Sequence, residues 1–488
     1  MNLEKRTIRG LGWSGISLFI RLLFNFVITA ILARVLVPGD FGMFAMVVSF
    51  TNFFAIFYDL GLTAALVQYK EPMEEHFSSV FWLNILAGFI LMLVVMLLAS
   101  TIAGFYGESR VISVVLVLAS IFFISSFGMV QSAIFTRQLD FKSLAIIEIL
   151  AVFISGVIAI ALAFYGFGVW SLVWQQVILS FIATVFLWVF SKWRPKLLFE
   201  WQRIKELLGF GLNLTGFSLL NYFNRNFDNI FIGKTLGPVS LGFYNLSYRL
   251  MLFPLNNISQ VIGRVMFPSL ALIQGNKDKI SLMYIKATRH IAAITFPLMT
   301  GLFLVAPQFI RIVFGDKWER SVLILQILAF IGLIQSIGTT VGWIYQSQGR
   351  MDIMFRWGRY ASIIIVASFI VGAQWDIEGV AAAYAIVSLS LALPNFIIPF
   401  RLIDLKLSYF IKQFRSIFLS AMGMGLMVIF SNVIMIKLSV ENDMIIFLTE
   451  VFIGAISYAI FMSIFDKPLC RDSIILIRQL LYFTDAGK

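Results

Sequence analysis

Cysteine is nearly absent from this 488-residue chain: Cys470 stands alone, so no disulfide framework within the molecule holds the fold. Histidine is almost as scarce. His76 and His290 lie far apart and cannot form a His/Cys cluster, so no metal is expected. Charge is sparse too, at 13% of residues, while 60% are hydrophobic and the mean hydropathy is +0.93. So apolar a chain has no surface to offer water, which excludes a soluble globular protein and leaves an integral membrane one. Catalytic signatures are missing as well: there is no zinc motif, no nucleophile elbow and no room for a sizeable soluble domain. The stretch "DNIFIGKT", 228–235, ends like a phosphate-binding loop, but Asp228 stands where the leading glycine belongs. Neither a cofactor nor a catalytic residue is expected.

What the chain has is apolar runs. A bilayer core of about 30 Å takes roughly 20 apolar residues per helix. Fourteen segments meet that test, at roughly 13–35, 41–67, 78–104, 111–135, 144–165, 168–190, 209–233, 239–268, 286–308, 321–346, 358–375, 379–400, 413–436 and 443–465. Only the seventh is polar enough to question, and the basic residues answer for it. With the N-terminus in the cytoplasm, 27 of the 37 Lys and Arg fall in cytoplasmic loops and 7 in outer loops, while Arg21, Arg225 and Arg249 lie within spans. Removing the seventh segment would flip every later loop and put the basic ones outside. The expectation is an all-α integral membrane fold of 14 transmembrane helices with both termini cytoplasmic. The same bias accounts for the net charge of +12 without a nucleic-acid partner. The start "MNLEKRTIRG" resembles a signal peptide, but the apolar run after it is too long, carries Arg21 and leads into further spans; it reads as the first helix.

An internal repeat orders these helices. "RVLVPGDFGMF", 34–44, returns as "KTLGPVSLGFY", 234–244, with Pro38 answering to Pro238 and Gly42 to Gly242. The copies join helices 1 and 2, then 7 and 8. Six spans separate them, an even number, so both run in the same sense and the repeat is parallel. The expected domains are a six-helix bundle over 1–190, a cytoplasmic amphipathic linker over 191–208, a second six-helix bundle over 209–400, and two more helices with an amphipathic tail over 401–488. In the linker, Trp201, Ile204, Leu207 and Leu208 share one face, the pattern of a helix lying on the membrane surface.

Polar residues inside spans are the functional candidates. Helix 1 carries Ser14, Ser17, Arg21, Asn25 and Thr29 at spacings of three and four, and helix 7 carries Ser218, Asn221, Arg225, Asp228 and Asn229 likewise. An arginine at mid-membrane costs on the order of 2.5–3.5 kcal/mol on insertion scales and is retained where it meets water, a counter-charge or an anionic ligand. Arg21, Asn25, Asn221, Arg225 and Arg249 therefore suggest a cationic cavity for an anionic substrate. The competing reading is structural pairing, of Arg225 with Asp228 and of Arg21 with Asp59. The carboxylates Asp59, Asp228 and Glu148 are the candidates for ion or proton coupling, Glu148 least of all because it falls near the cytoplasmic end of helix 5.

Taken in order, "RGLGWSGIS", "ARVLVPGDFGMFAMV", "YDLGLTAALVQ", "TRQLDFKSLAIIEI", "GFGVWSLVWQQ", "YNLSYRLMLFPLNNISQVIGRVMFPSLA", "FGDKW" and "GRMDIMFRWG" resemble the Wzx-type polysaccharide flippases, within the superfamily of multidrug, oligosaccharidyl-lipid and polysaccharide exporters. The subgroup they look most like is the colanic acid and lipopolysaccharide-type exporters. The resemblance implies an undecaprenyl-diphosphate-linked oligosaccharide as substrate, alternating access between two bundles, and residence in a bacterial inner membrane, with a polysaccharide polymerase among possible partners. It transfers no binding residue, because the family's diphosphate-binding positions follow no tight motif. Two rivals remain. A drug or small-cation exporter of the same superfamily favours a cavity of carboxylates, whereas three span arginines here face two deep acids. A membrane glycan polymerase would carry a large outer loop or a clustered His/Asp site, and neither is present.

Overall fold

The computed structural model describes residues 3–472, without the side chains of 3–14, 16, 210, 212–214, 216–218, 220, 221, 223–225, 256, 260, 261, 264 and 265. The expected amphipathic tail lies largely outside the described residues. Packing divides the chain into two compact units, one up to Gly242 and one from Phe243. The first holds α1 (Leu3–Val35), α2 (Pro38–Phe54), α3 (Leu62–Gln68), α4 (Glu74–Leu97), α5 (Ala99–Tyr106), α6 (Val111–Ser126), α7 (Met129–Arg137), α8 (Phe141–Phe164), α9 (Val169–Phe190) and the start of α10 (Trp201–Leu272). The second holds the rest of α10, then α11 (Lys277–Phe314), α12 (Arg320–Gly338), α13 (Gly342–Ser347), α14 (Met351–Gly372), α15 (Asp376–Phe400), α16 (Leu407–Lys412), α17 (Arg415–Lys437) and α18 (Asp443–Phe465).

Helices cover all fourteen expected segments, and no strand occurs among the described residues. By length and composition, nine described stretches suffice to cross a membrane, or ten when α6 and α7, bent by 45°, count as one. One of the nine, Met351–Ile403, has 53 residues, about 80 Å of helix against a core of about 30 Å. It folds back on itself at Asp376, whose φ is +58°. There α14 and α15 approach so closely that a Cβ on Gly372 would lie 2.5 Å from the Gly379 carbonyl oxygen. The second segment is short because α2 stops at Phe54, and the chain turns through left-handed Leu60 and Gly61 before α3.

The repeated turn has a packing reason. Its two copies lie against each other within the first unit. A Cβ on Gly42 would come 1.6 Å from the Pro238 carbonyl oxygen, and one on Gly242 would come 2.0 Å from that of Pro38. Each copy thus offers a bare glycine to the other's proline carbonyl, a reciprocal contact that only a missing side chain permits at both places. The helices also break at matching positions. Val37 is extended (φ −97°, ψ 157°), and Gly237 interrupts α10 with φ 82° and ψ −178°. This contact helps explain why the start of α10 packs with the first unit.

The linker does not lie free on the membrane. Residues 192–200 are non-helical, and from Trp201 the helix runs on into the next segment. The middle of its apolar face is buried in protein: Ile204 and Leu207 sit in a core with Leu62, Leu66, Val80 and Phe81, Leu208 packs against it, and Trp201 stays 50% exposed. That core already presented an apolar surface from α3 and α4, and burying the face there removes it from water without needing lipid. A polar clamp holds the other side. The Tyr69 hydroxyl donates to Glu206 Oε2 at 2.7 Å, and His76 Nε2 approaches the same oxygen at 3.0 Å. The Met73 N–H donates to His76 Nδ1, so Nε2 carries the ring proton and donates. Bonds from Tyr69 and His76 hold the Glu206 carboxyl below its ordinary 4.5. A depressed carboxyl stabilises docking in full above that ordinary value, begins to lose the contribution below it, and has lost it once the pH falls through the lowered value. Hydrogen exchange over 201–208, corrected for intrinsic rate, should therefore quicken below about pH 4.5 and already be quicker at pH 7 in Glu206→Gln.

Arg137 performs a similar service for α3. Its guanidinium donates to the carbonyls of Leu66 and Val67 (3.2 Å each), Tyr69 (2.5 Å) and Lys70 (2.7 Å), taking up the acceptors at that helix's C-terminus. Charge-assisted bonds to otherwise unpaired carbonyls contribute about 1.5–3 kcal/mol. Arg137→Ala should cost about 2 kcal/mol in denaturant unfolding, and Arg137→Lys should recover only part, since a lysine cannot fork across four carbonyls. In the second unit the core gathers Tyr284, Phe400, Phe410 and Ile417 from α11, α15, α16 and α17. Between α11 and α12 Trp318 is fully buried with the Phe243 ring edge-on at 6.0 Å, and Arg320 bridges Asp376 and Glu378.

Candidate functional site

Arg21, Asn25 and Glu148 come together. α1 packs along α8, and Gly156 lets them close on each other, its missing Cβ leaving room for Ile28. One turn pair nearer the helix starts, Arg21 Nη1 meets Glu148 Oε2 at 2.7 Å. Asn25 donates to the Arg21 carbonyl at 2.9 Å, so it braces its own helix, and its side chain stays exposed. The pair remains 30% and 43% exposed, open to a ligand or to water. Arg21 Nε is buried with no hydrogen-bond partner. One sequence expectation changes here: the counter-charge of Arg21 is Glu148 and not Asp59.

Asp59 belongs to a separate polar group. It accepts from the Thr63 N–H at 3.0 Å and from the Thr63 hydroxyl, holding the first turn of α3, and Asn84 Nδ2 reaches it at 3.4 Å. Asn84 is 1% exposed, and its Oδ1 has no partner. A carboxylate, a hydroxyl and an orphaned amide oxygen are hard oxygen donors, suited to a small cation such as sodium. No group of three or more His, Cys, Asp or Glu capable of holding a metal occurs among the described residues. Asp228 is buried on α10 and accepts from the Asn229 N–H at 2.8 Å. The side chains of Asn221 and Arg225 lie outside the described residues. Arg249, also on α10, is surrounded by protein on all sides yet keeps accessible surface, and it has no ion-pair partner among the described residues. It stands eleven residues beyond Pro238, about 17 Å along the helix.

Sequence reasoning missed two things. Asn84 lies 25 residues from Asp59 on another helix, and no local spacing joins them. Glu450 was legible as an acid within the apolar run 443–465 but was not singled out. It is 2% exposed, accepts from Asn432 Nδ2 at 2.5 Å, and borders a cavity of about 340 Å³ between α11, α17 and α18.

Comparison with known proteins follows the same lines. A family model described as "Polysaccharide biosynthesis protein" matches residues 31–323, more than half of the chain. The chain is similar to the teichuronic acid biosynthesis protein TuaB of Bacillus subtilis (strain 168), with 30% identity over 433 residues, 87% of this chain and 89% of that one. It is also similar to the lipopolysaccharide biosynthesis protein WzxC of Escherichia coli (strain K12), with 27% identity over 376 residues, 77% of this chain and 76% of that one. Among solved structures, the lipid II flippase MurJ in an inward closed conformation superposes with a TM-score of 0.73 at 16% identity, covering 94% of this chain and all of that one. At that identity the likeness concerns the fold. The chain is a multi-pass membrane protein of the polysaccharide biosynthesis family, built on the fold that MurJ shares.

Proposed function

We propose that the protein is a flippase that carries an undecaprenyl-diphosphate-linked oligosaccharide from the cytoplasmic to the periplasmic leaflet of a bacterial inner membrane, by alternating access, for assembly of a surface polysaccharide. The observation that carries this is the placement of two cations within apolar helices where both stay accessible: Arg21 on α1, held by a single carboxylate, and Arg249 on α10, with no ion-pair partner among the described residues. A diphosphate offers the planar, bidentate acceptors that guanidinium groups fit. The names of the similar proteins, for teichuronic acid, lipopolysaccharide and lipid II, support a glycan-bearing lipid. Fourteen crossings, both termini in the cytoplasm and the division at 191–208 complete the proposal, with Asn221 and Arg225 joining the substrate site. A polymerase that consumes the delivered units is the expected neighbour.

Coupling falls to Asp59 or Asp228. A proton on Glu148 would free Arg21 for the diphosphate, so the two ligands would favour each other. Inward ion flow that drives outward lipid movement needs competition instead, which makes Glu148 a positioning partner. The oxygen set around Asp59 suits sodium. Asp59→Asn should therefore abolish the sodium dependence of transport in proteoliposomes while leaving substrate binding intact; unchanged sodium dependence would move the site to Asp228.

The deciding experiment is lipid extraction from cells lacking the protein. Intact repeat units held on the cytoplasmic leaflet, released by the wild-type gene and about tenfold less well by Arg249→Ala, are expected. Normal periplasmic glycans with altered resistance to toxic cations would sink the reading in favour of a drug exporter.

A further inference from the structure

We infer that the second unit carries a binding site for the phosphate headgroup of an anionic phospholipid, at the ends of α11, α16, α17 and α18 that the basic loops assign to the cytoplasm. A cavity of about 590 Å³ opens there, lined on one side by Arg289, Lys412 and Arg415. Its one carboxylate is already committed. Asp466 Oδ2 receives Arg289 Nη2 and the Ser416 hydroxyl, each at 2.5 Å, and Oδ1 receives the Leu469 N–H at 3.3 Å. Asp466 therefore neutralises Arg289, and three of its roughly four acceptor sites are taken. Lys412 and Arg415 are exposed, and no carboxylate among the described residues pairs with them, so within that part of the chain two positive charges face the cavity uncompensated. Arg289 Nε adds a buried donor without a partner. The start of α17, with no side-chain cap, adds its free N–H groups to the same potential.

The other side of the cavity names the source of the phosphate. Leu419 and Phe465 line it and remain 38% and 48% exposed, on helices whose outer faces are apolar. A free anion would find this wall unfavourable. A phospholipid would lay its acyl chains along it, with the phosphate at the depth where Lys412 and Arg415 begin an apolar helix. Basic pockets between membrane helices on the cytoplasmic side suit this chemistry, and each lysine or arginine near an anionic surface adds to the attraction. The site is separate from the Arg21–Glu148 pair and does not depend on the transport proposal.

The test titrates the full-length protein in neutral detergent with phosphatidylglycerol, phosphatidylcholine and inorganic phosphate, counting bound lipid by native mass spectrometry. Wild type should prefer phosphatidylglycerol to phosphatidylcholine by roughly tenfold or more. Lys412→Gln with Arg415→Gln should erase that preference, with an unfolding midpoint in lipid-free detergent equal to wild type. A control removing equal charge elsewhere on the same face, Lys279→Gln with Arg359→Gln, should keep it. Equal binding of the two lipids by wild type, or equal loss in the control, would overturn the site. Complete displacement of phosphatidylglycerol by millimolar inorganic phosphate would overturn the lipid in favour of a free anion.

Discussion

A valine at position 42 will force the two copies of the repeated turn apart. The added Cβ would stand 1.6 Å from the Pro238 carbonyl oxygen and 2.9 Å from the Gly242 amide nitrogen, which are backbone atoms that no rotamer change can move. Overpacking a well-filled contact costs about 1–3 kcal/mol, and rigid neighbours put this one at the upper end or beyond. A crosslink reads the separation directly. A Cβ on Gly39 would lie 3.4 Å from Val239 Cγ2, a γ position like that of a cysteine sulfur, so thiols placed at 39 and 239 come within reach of each other. With Cys470 replaced by serine, Gly39→Cys with Val239→Cys should oxidise readily, and adding Gly42→Val should reduce the yield several-fold. Gly104→Val should leave the yield unchanged, because nothing lies within 4 Å of a Cβ there. If alternating access parts these turns, the oxidised pair should also stop transport and a reductant restore it. A full crosslink yield in the valine variant would mean that the contact is easily shared and carries little.

The repeat shows what the sequence could convey. Two eleven-residue stretches matched at an offset of 200 announced related halves, because a turn built on glycine, proline and their spacing is a local device. What the stretches meet is not local. That each glycine receives the other copy's proline carbonyl depends on how distant helices pack, and only coordinates show it. The linker teaches the same point from the other side. Its apolar face over Trp201, Ile204, Leu207 and Leu208 was legible, but periodicity says only that a face must be buried. Protein from α3 and α4 took the place expected of lipid.

The site was legible to a similar depth. Arg21 stood out because an arginine in an apolar run is costly, and Asn25 stood out by spacing. Partner choice was not available: Asp59 was the expected counter-charge, but α1 runs beside α8 and Glu148 takes that place. Asp59 instead serves Thr63 four residues on, a capping role that its position before α3 could have suggested. Its bond to Asn84 needed the fold.

Removing the Arg21 guanidinium will cost transport most. On the proposed function, Arg21→Ala deletes the cation and leaves Glu148 facing the substrate's diphosphate, so attraction becomes repulsion. A charge-assisted bond contributes about 1.5–3 kcal/mol, which puts the loss of substrate affinity at roughly 10- to 150-fold. Arg21→Lys keeps the charge without the fork and should fall between. Stability will drop as well, though less than for a fully buried pair, since both partners are partly exposed. That drop is what a purely structural ion pair would also give, so the single variant does not separate the two roles. Glu148→Gln in the Arg21→Ala background does. Neutralising the abandoned carboxylate relieves the unpaired charge, and the unfolding midpoint should return towards wild type. Transport in proteoliposomes should not return with it, because the cation that meets the diphosphate is still missing. Glu148→Gln alone should bind substrate at least as tightly as wild type, with Arg21 released from its partner. If the double variant regained transport along with stability, Arg21 would be a structural pair, and the cationic site would have to be built on Arg249 alone.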